Sequence, residues 1–356
     1  MIKIEIFNKV WPVIVAIIIF GLIIFVHEFG HFIFAKLFKI KVNEFAIGFG
    51  PKLFQFKKGE TEYSLRLLPL GGYCAMEGEN GESDDEHAFT KAKVWQRIVV
   101  CVAGAVFNII LGFILLLSIV GIQSNTLAST TISSFFEKAT SCADGGLKVG
   151  DTITKIERRR IFSADDLNYM LSLSEDGVVS MQVERDGEII DLERVKFALE
   201  EYEGHTFMVR DFYVEPLDAG FFGIIKEAGG RTLSLARYVL MSFADLITGR
   251  FGLQDVSGPV GITNIMSQAV TKVSENGIKG LVYFLRILSL ITINLGVFNL
   301  LPIPALDGSR VMFLIIEGIR KKPVPSDKEG KVHAIGMIVL LAFMAIVIIS
   351  DILKLF

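Results

Sequence analysis

Residues Ile98 to Ile122 form a run of 25 residues with no charged side chain, and this run restricts the fold more than any other feature. A helix needs about 20 mostly apolar residues to cross the hydrocarbon core of a bilayer. Three further stretches qualify. Val10–Ala35 is interrupted only by His27, Glu28 and His31. Ile287–Leu306 carries no charge. Val332–Ser350 contains a single histidine, His333. Backbone groups in lipid must be bonded within their own segment, so these runs read as four helices. Composition agrees: 51% of the chain is hydrophobic and 21% charged, below the roughly 25% charge of soluble domains. A disordered chain and a disulfide scaffold are excluded on that balance. A net charge of -3 with no basic stripe excludes a nucleic-acid surface. Cys74, Cys101 and Cys142 form no CxxC spacing and read as free thiols.

The first run resembles a signal peptide in having Lys3 and Lys9 ahead of it. It ends in a His/Glu cluster without a small-residue cleavage site, so it is expected to be retained. Lys and Arg favour cytoplasmic loops. They crowd two loops here: Lys36, Lys39, Lys41, Lys91, Lys93 and Arg97 in one, and Arg310, Arg320, Lys321, Lys322, Lys328 and Lys331 in the other. Both loops are therefore expected in the cytoplasm, with both termini and the long insertion outside, in the cell's inner (plasma) membrane.

Four segments follow: 1–122 with the first two membrane helices and a hairpin, 126–200 as an inserted β-rich domain, 201–278 as an amphipathic linker, and 279–356 with the last two membrane helices. Within the insertion, Thr152–Ile156 and Val178–Val183 read as strands and Ala164–Leu173 as a helix. Gly145-Gly146, Gly150-Asp151 and Asp186-Gly187 mark turns. From Ala219 to Thr248 the period turns helical and amphipathic, as for a helix lying on a membrane surface. Near the N-terminus, Leu53–Phe56, Lys57–Glu60 and Tyr63–Leu67 read as a β-hairpin with a glycine turn. An exposed hairpin edge, presented by residues such as Phe54 and Leu65, can pair with an unwound substrate strand.

The motif with the sharpest chemistry is His27-Glu28-Phe29-Gly30-His31. Residues i and i+4 share a helix face, so both imidazoles can reach one metal ion, with Glu28 beside them to take a proton from water. A charged group costs about 2.5–3.5 kcal/mol at the centre of a membrane helix by insertion scales, so its presence there points to function. A catalytic zinc site takes three protein ligands. Asp307, after the proline-broken stretch Leu301-Pro302-Ile303-Pro304, is a candidate for the third, although an Asp there also suits a helix cap. His333, at the start of the fourth run, competes with it, and His87 and His205 lie in hydrophilic segments.

The sequence resembles the site-2 protease family of intramembrane zinc metalloproteases, in its bacterial branch with an inserted PDZ domain. The resemblance rests on HEFGH at 27–31 and NLLPIPALDG at 299–308. GFGPKLF at 48–54, LLPLGGY at 67–73, SGPVGI at 257–262 and IGMIVLL at 335–341, followed by Asp351, extend it over nearly the whole chain. It implies zinc on His27, His31 and Asp307, Glu28 as general base, and substrate binding by Asn294 and Asn299. It implies single-pass membrane substrates, such as anti-sigma factors or remnant signal peptides, already trimmed outside the membrane. The implied fold is a polytopic α-helical membrane protein of four transmembrane helices, with a membrane-associated β-hairpin and a PDZ-like insertion. Ala143–Asp151 is similar to the PDZ signature, but Glu157–Arg160 departs from it, so the domain reads equally as a peptide-ligand site or as a filter. Asn108 reads as an interhelical hydrogen-bonding residue. The alternative class is a non-enzymatic metal-binding scaffold or transporter. A transporter predicts paired broken helices or inverted repeats, which the chain lacks.

Overall fold

The computed structural model describes residues 2–354 except 80, 82, 125, 126, 144, 175, 203, 204, 218, 219, 251 and 253–255. The expected boundaries at Thr126 and Ala219, and Asp144 of the PDZ-like signature, lie outside the described residues. The chain divides into two compact units, one of residues 1–115 and 236–356, the other of residues 116–235.

The first unit is built on helices α1 (Ile2–Leu37), α2 (Val94–Ile122), α5 (Pro259–Asn299), α6 (Asp307–Arg320) and α7 (Ser326–Leu353). Four stretches are long and apolar enough to cross a membrane: Val10–Leu37, Val94–Ile122, Pro259–Asn299 and Asp327–Leu353. The third differs from expectation at both ends. Helix α5 begins at Pro259, turns sharply at Gly277 (φ 54°, ψ -125°) and stops at Asn299. Hydropathy runs on to Leu306 but the helix does not. Pro302 and Pro304 offer no N–H to a helical ladder, so residues 300–306 pass as irregular backbone before α6 begins. Glycines let the helices approach closely. A Cβ on Gly30 of α1 would lie 2.6 Å from the carbonyl of Ala103 in α2, and one on Gly296 of α5 would lie 2.7 Å from that of Ala105.

Between α1 and α2 lie β1 (Val42–Lys58) and β2 (Thr61–Met76), joined at Lys58↔Thr61 with Gly59 at φ 65°. The expected hairpin is present and Phe54 faces Leu65 in register. Both strands also fold back on themselves. Ser64 pairs with Gln55 on one side and Ala46 on the other, and Phe45 pairs with both Tyr63 and Cys74. The result is a four-stranded sheet ordered 52–58, 61–66, 42–47, 72–76. Glu44 ties three of these segments together. It accepts hydrogen bonds from Ser64 Oγ (2.7 Å), Arg66 (2.8 Å) and Tyr73 Oη (2.7 Å). Burial opposes ionisation of Glu44, but these bonds and the Arg66 charge outweigh it and hold the carboxyl down to about 2.

The second unit carries a sheet ordered β10-β3-β4-β6-β7, with β5 added to β4. Its strands are β3 (Ala128–Phe135), β4 (Thr152–Ile156), β5 (Arg159–Arg160), β6 (Val178–Arg185), β7 (Glu188–Lys196) and β10 (Phe212–Pro216). Helix α3 (Ala164–Ser172) starts at Ser163, whose side chain accepts from Asp166 N. Ile132, Ile153, Ile156, Leu167, Leu171, Val183 and Phe212 form its core. Asp151 is fully buried and held by both Nε and Nη2 of Arg185, at 2.6 and 2.8 Å. The expected strands and helix are present, but the sheet runs past residue 200: β10 pairs with β3 through Phe212↔Phe135. Periodicity could not show this, because β10 is short and its partner lies far back in the chain. Leu217 N donates to Leu127 O at 2.8 Å, so the sheet's entry and exit are adjacent. Glu157 and Arg158, where the signature departs, form the β4–β5 turn with φ of 47° and 64°. Two successive positive φ values ordinarily call for Asn-Gly.

Candidate metal centre

Three residues on two helices bring one ligand atom each to a single point. His27 and His31 lie one turn apart on α1 and are both buried. Asp307 is the first residue of α6. His27 Nε2 lies 3.1 Å from Asp307 Oδ2, His31 Nε2 lies 3.3 Å from the same oxygen, and the two Nε2 atoms are 3.2 Å apart. Among the described residues this is the group of His, Cys, Asp and Glu side chains whose ligand atoms come together in this way. Asp307 does not cap α6. The helix begins behind Leu306 with no side-chain cap, and the carboxylate points to the histidines instead.

The donor set fits zinc. His31 Nδ1 donates to Val100 O at 2.8 Å, which leaves Nε2 with a free lone pair. A tetrahedral zinc with bonds of about 2.0–2.1 Å separates its ligands by about 3.3 Å, close to the three distances here. Two imidazole nitrogens and a carboxylate oxygen are the ligand types of a catalytic zinc site.

Close packing holds this geometry. A Cβ on Gly104 of α2 would collide with His31 Nε2. One on Gly308 would collide with the carbonyl oxygens of Leu300 and Leu301, so Gly308 is required for close approach and not for a positive φ. The loop before Asp307 is also pinned. Ala305 has φ 78°, and its N–H donates to His333 Nδ1 at 3.2 Å. His333 therefore faces the loop, and the competitor for the third ligand position is a support of the segment that carries Asp307. His87 lies in the loop between β2 and α2, where its carbonyl accepts from Lys41 N. His205 starts strand β9 (His205–Met208) in the other unit.

Glu28 follows His27 on α1 and is half-buried. The strand beside it is 72–76, at one edge of the four-stranded sheet: a Cβ on Gly72 would stand 3.1 Å from Glu28 Cγ. Leu65 belongs to an inner strand already paired on both sides, with Ile47 and Phe54. Phe54 is on the opposite edge, with 62% of its surface exposed. Asn294 and Asn299 are separated by about 140° of helix rotation. Asn299 shares the face of Thr292 and Gly296, which pack on α2, whereas Asn294 is exposed on the far side. Neither carboxamide has a hydrogen-bond partner among the described residues. Asn108 of α2 is fully buried with its Nδ2 3.3 Å from His27 Nδ1. From sequence it reads as an interhelical hydrogen-bonding residue. The signal that could have marked it is an amide in a run with no charged residue.

The model of peptidase family M50 matches residues 15–343. The chain belongs to peptidase family M50. A chain of Clostridium perfringens provisionally named a zinc metalloprotease is 36% identical over 345 residues, covering 96% of this chain and 98% of its own. Zinc metalloprotease RasP of Shouchella clausii is 33% identical, covering 96% and 98%. The regulator of sigma-W protease RasP of Bacillus subtilis is 31% identical, covering 97% and 99%. The M50 chain described here is an intramembrane zinc metalloprotease, as its resemblance to the site-2 proteases implied. A non-enzymatic scaffold or transporter is not favoured.

Proposed function

We propose that His27, His31 and Asp307 hold the catalytic zinc and that Glu28 is the general base for cutting a transmembrane segment of a single-pass membrane protein. The observation that carries this reading is the convergence of the three ligand atoms within 3.3 Å, with Glu28 next to the first of them. Zinc, when bound, supplies Lewis acidity and brings the pKa of water towards about 7. Glu28 takes a proton from the attacking water and returns it to the amine nitrogen released by C–N cleavage. The name of the Bacillus subtilis relative, a regulator of sigma-W protease, supports a membrane-bound anti-sigma factor as substrate. A remnant signal peptide has the same single-pass form. Trapping with full-length Glu28→Gln tests the substrate class: captured single-pass proteins support it, and capture of soluble proteins alone sinks it.

A helical substrate hides its carbonyls in the i to i-4 ladder and must unwind before it is cut. The free edge of 72–76, beside Glu28, is the best-placed strand for it to pair with. Phe54 and Leu65 then support the far side of the sheet, and Asn299 is better placed than Asn294 to bond the unwound chain. Proline removes one ladder donor. Tyr73→Pro and Cys74→Pro alter neighbouring N–H groups, and neighbours in a strand point to opposite sides. One of the two should reduce cleavage of helical substrates more than of substrates with Gly or Pro near the cut, at unchanged zinc content. Equal losses on both substrate types would point to misfolding of the sheet.

The distribution of Lys and Arg supports placing the termini and the inserted domain outside the cytoplasm, with the site towards the cytoplasmic side. The inserted domain is a PDZ-like filter or peptide-ligand site for substrates trimmed outside. Because Leu127 and Leu217 are hydrogen-bonded, the segment between them can be replaced by a short Gly/Ser linker. The excised protein should retain zinc and hydrolysis and accept untrimmed substrates. A folded, zinc-loaded excision variant that cuts nothing would remove the filter idea.

A further inference from the structure

His27 and His31 differ in how their ring orientation is set. His31 donates Nδ1–H to a backbone carbonyl, Val100 O, which cannot act as a donor, so its Nε2 lone pair is preset. His27 instead meets the carboxamide of Asn108, which can either donate or accept. Asn108 has no solvent exposure. Among the described residues its carboxamide has one hydrogen-bond contact, Nδ2 to His27 Nδ1 at 3.3 Å, and its Oδ1 is buried without a hydrogen-bond partner. The carboxamide of Asn108 therefore meets a single ring nitrogen, that of a histidine read as a metal ligand.

The two amide orientations specify opposite tautomers. With Nδ2 against Nδ1, the amide donates and the imidazole carries its proton on Nε2, where it can donate to Asp307 Oδ2 at 3.1 Å. A half-turn about the Cβ–Cγ bond exchanges Oδ1 and Nδ2 without changing the side chain's volume. Oδ1 then accepts from Nδ1–H, and the Nε2 lone pair faces the centre. Surrounding contacts favour turning the amide over moving its backbone: Thr292 Oγ1 donates to Asn108 O at 3.3 Å, and Gly296 packs against its Cβ.

We propose that Asn108 is a positioning residue for His27, its Oδ1 accepting the Nδ1 proton so that Nε2 is free to bind zinc. The proposal rests on the reading of His27 as a ligand.

The test is zinc affinity of the full-length protein in detergent, measured by competition with a chelator of known affinity, with melting of the zinc-free form measured in parallel. Asn108→Leu keeps the size and removes the acceptor, so its affinity should fall by about 10–100-fold, the usual effect of losing an outer-shell partner. Asn108→Asp can only accept when ionised and should match wild type or bind more tightly. A residue that merely packs would not distinguish Leu from Asp in this way. Wild-type affinity in Asn108→Leu, or an equal loss in both variants, overturns the proposal. If the Leu variant does not fold, the Asp variant decides alone: retained affinity supports the proposal and a tenfold loss refutes it. His27→Ala separates the two readings, because zinc retained there would remove His27 as a ligand whatever Asn108 does.

Discussion

Glu28→Gln should leave the protein folded and zinc-loaded and reduce peptide hydrolysis by at least about 10²–10⁴-fold, the range a positioned general base contributes. The three converging atoms belong to His27, His31 and Asp307 and the carboxylate of Glu28 is not among them, so on the proposed reading it does not hold the ion. Gln has the same length and nearly the same volume as the Glu it replaces, and the position is half-buried. What Gln lacks is the ability to accept a proton from water and pass it to the departing amine. Cleavage of a purified single-pass substrate, with metal content measured on the same sample, decides the matter. Activity within about tenfold of wild type would assign the proton transfer to another group.

Asp307→Ala should reduce zinc affinity by more than the 10–100-fold typical of an outer-shell loss, because it removes one of three direct ligands. The two imidazoles would remain in place, since His31 is fixed by Val100 O and packed against Gly104. Helix α6 would lose only a favourable charge in its first turn, worth about 0.3–1 kcal/mol, because the side chain does not cap the helix. Melting of the zinc-free protein should therefore shift little while metal content collapses. His333→Ala is the paired control: His333 bonds the loop at Ala305, so that variant should hold zinc better than Asp307→Ala. The reverse order would exchange the roles of the two residues.

Local pattern carried a large part of the fold. Lengths of apolar run marked four spans, the i, i+4 spacing put His27 and His31 on one face, and the glycine turn set the hairpin in which Phe54 faces Leu65. Each of these depends on neighbours within a turn or a strand, where period and steric limits act directly. What depended on distant pairing was not legible in local pattern. Asp307 lies 280 residues from His27; no periodicity chooses between it and His333, and only the family resemblance pointed to Asp307. Only the break at Pro302 and Pro304, followed by the restart of α6, aims its carboxylate at the histidines. The inner pairing of 61–66 with 42–47 buries the Leu65 ladder and leaves 72–76 as the edge beside Glu28. Rotation along α5 separates Asn294 from Asn299, which look equivalent in the sequence. The sequence by itself determined the four apolar spans and the proposed ion-binding pair and base, because run length and the i, i+4 spacing within one helix encode them. The tertiary structure decided how Asp307 reaches the histidines, what meets His27 and which strand edge lies nearest Glu28, because each is a contact between segments that only packing brings together.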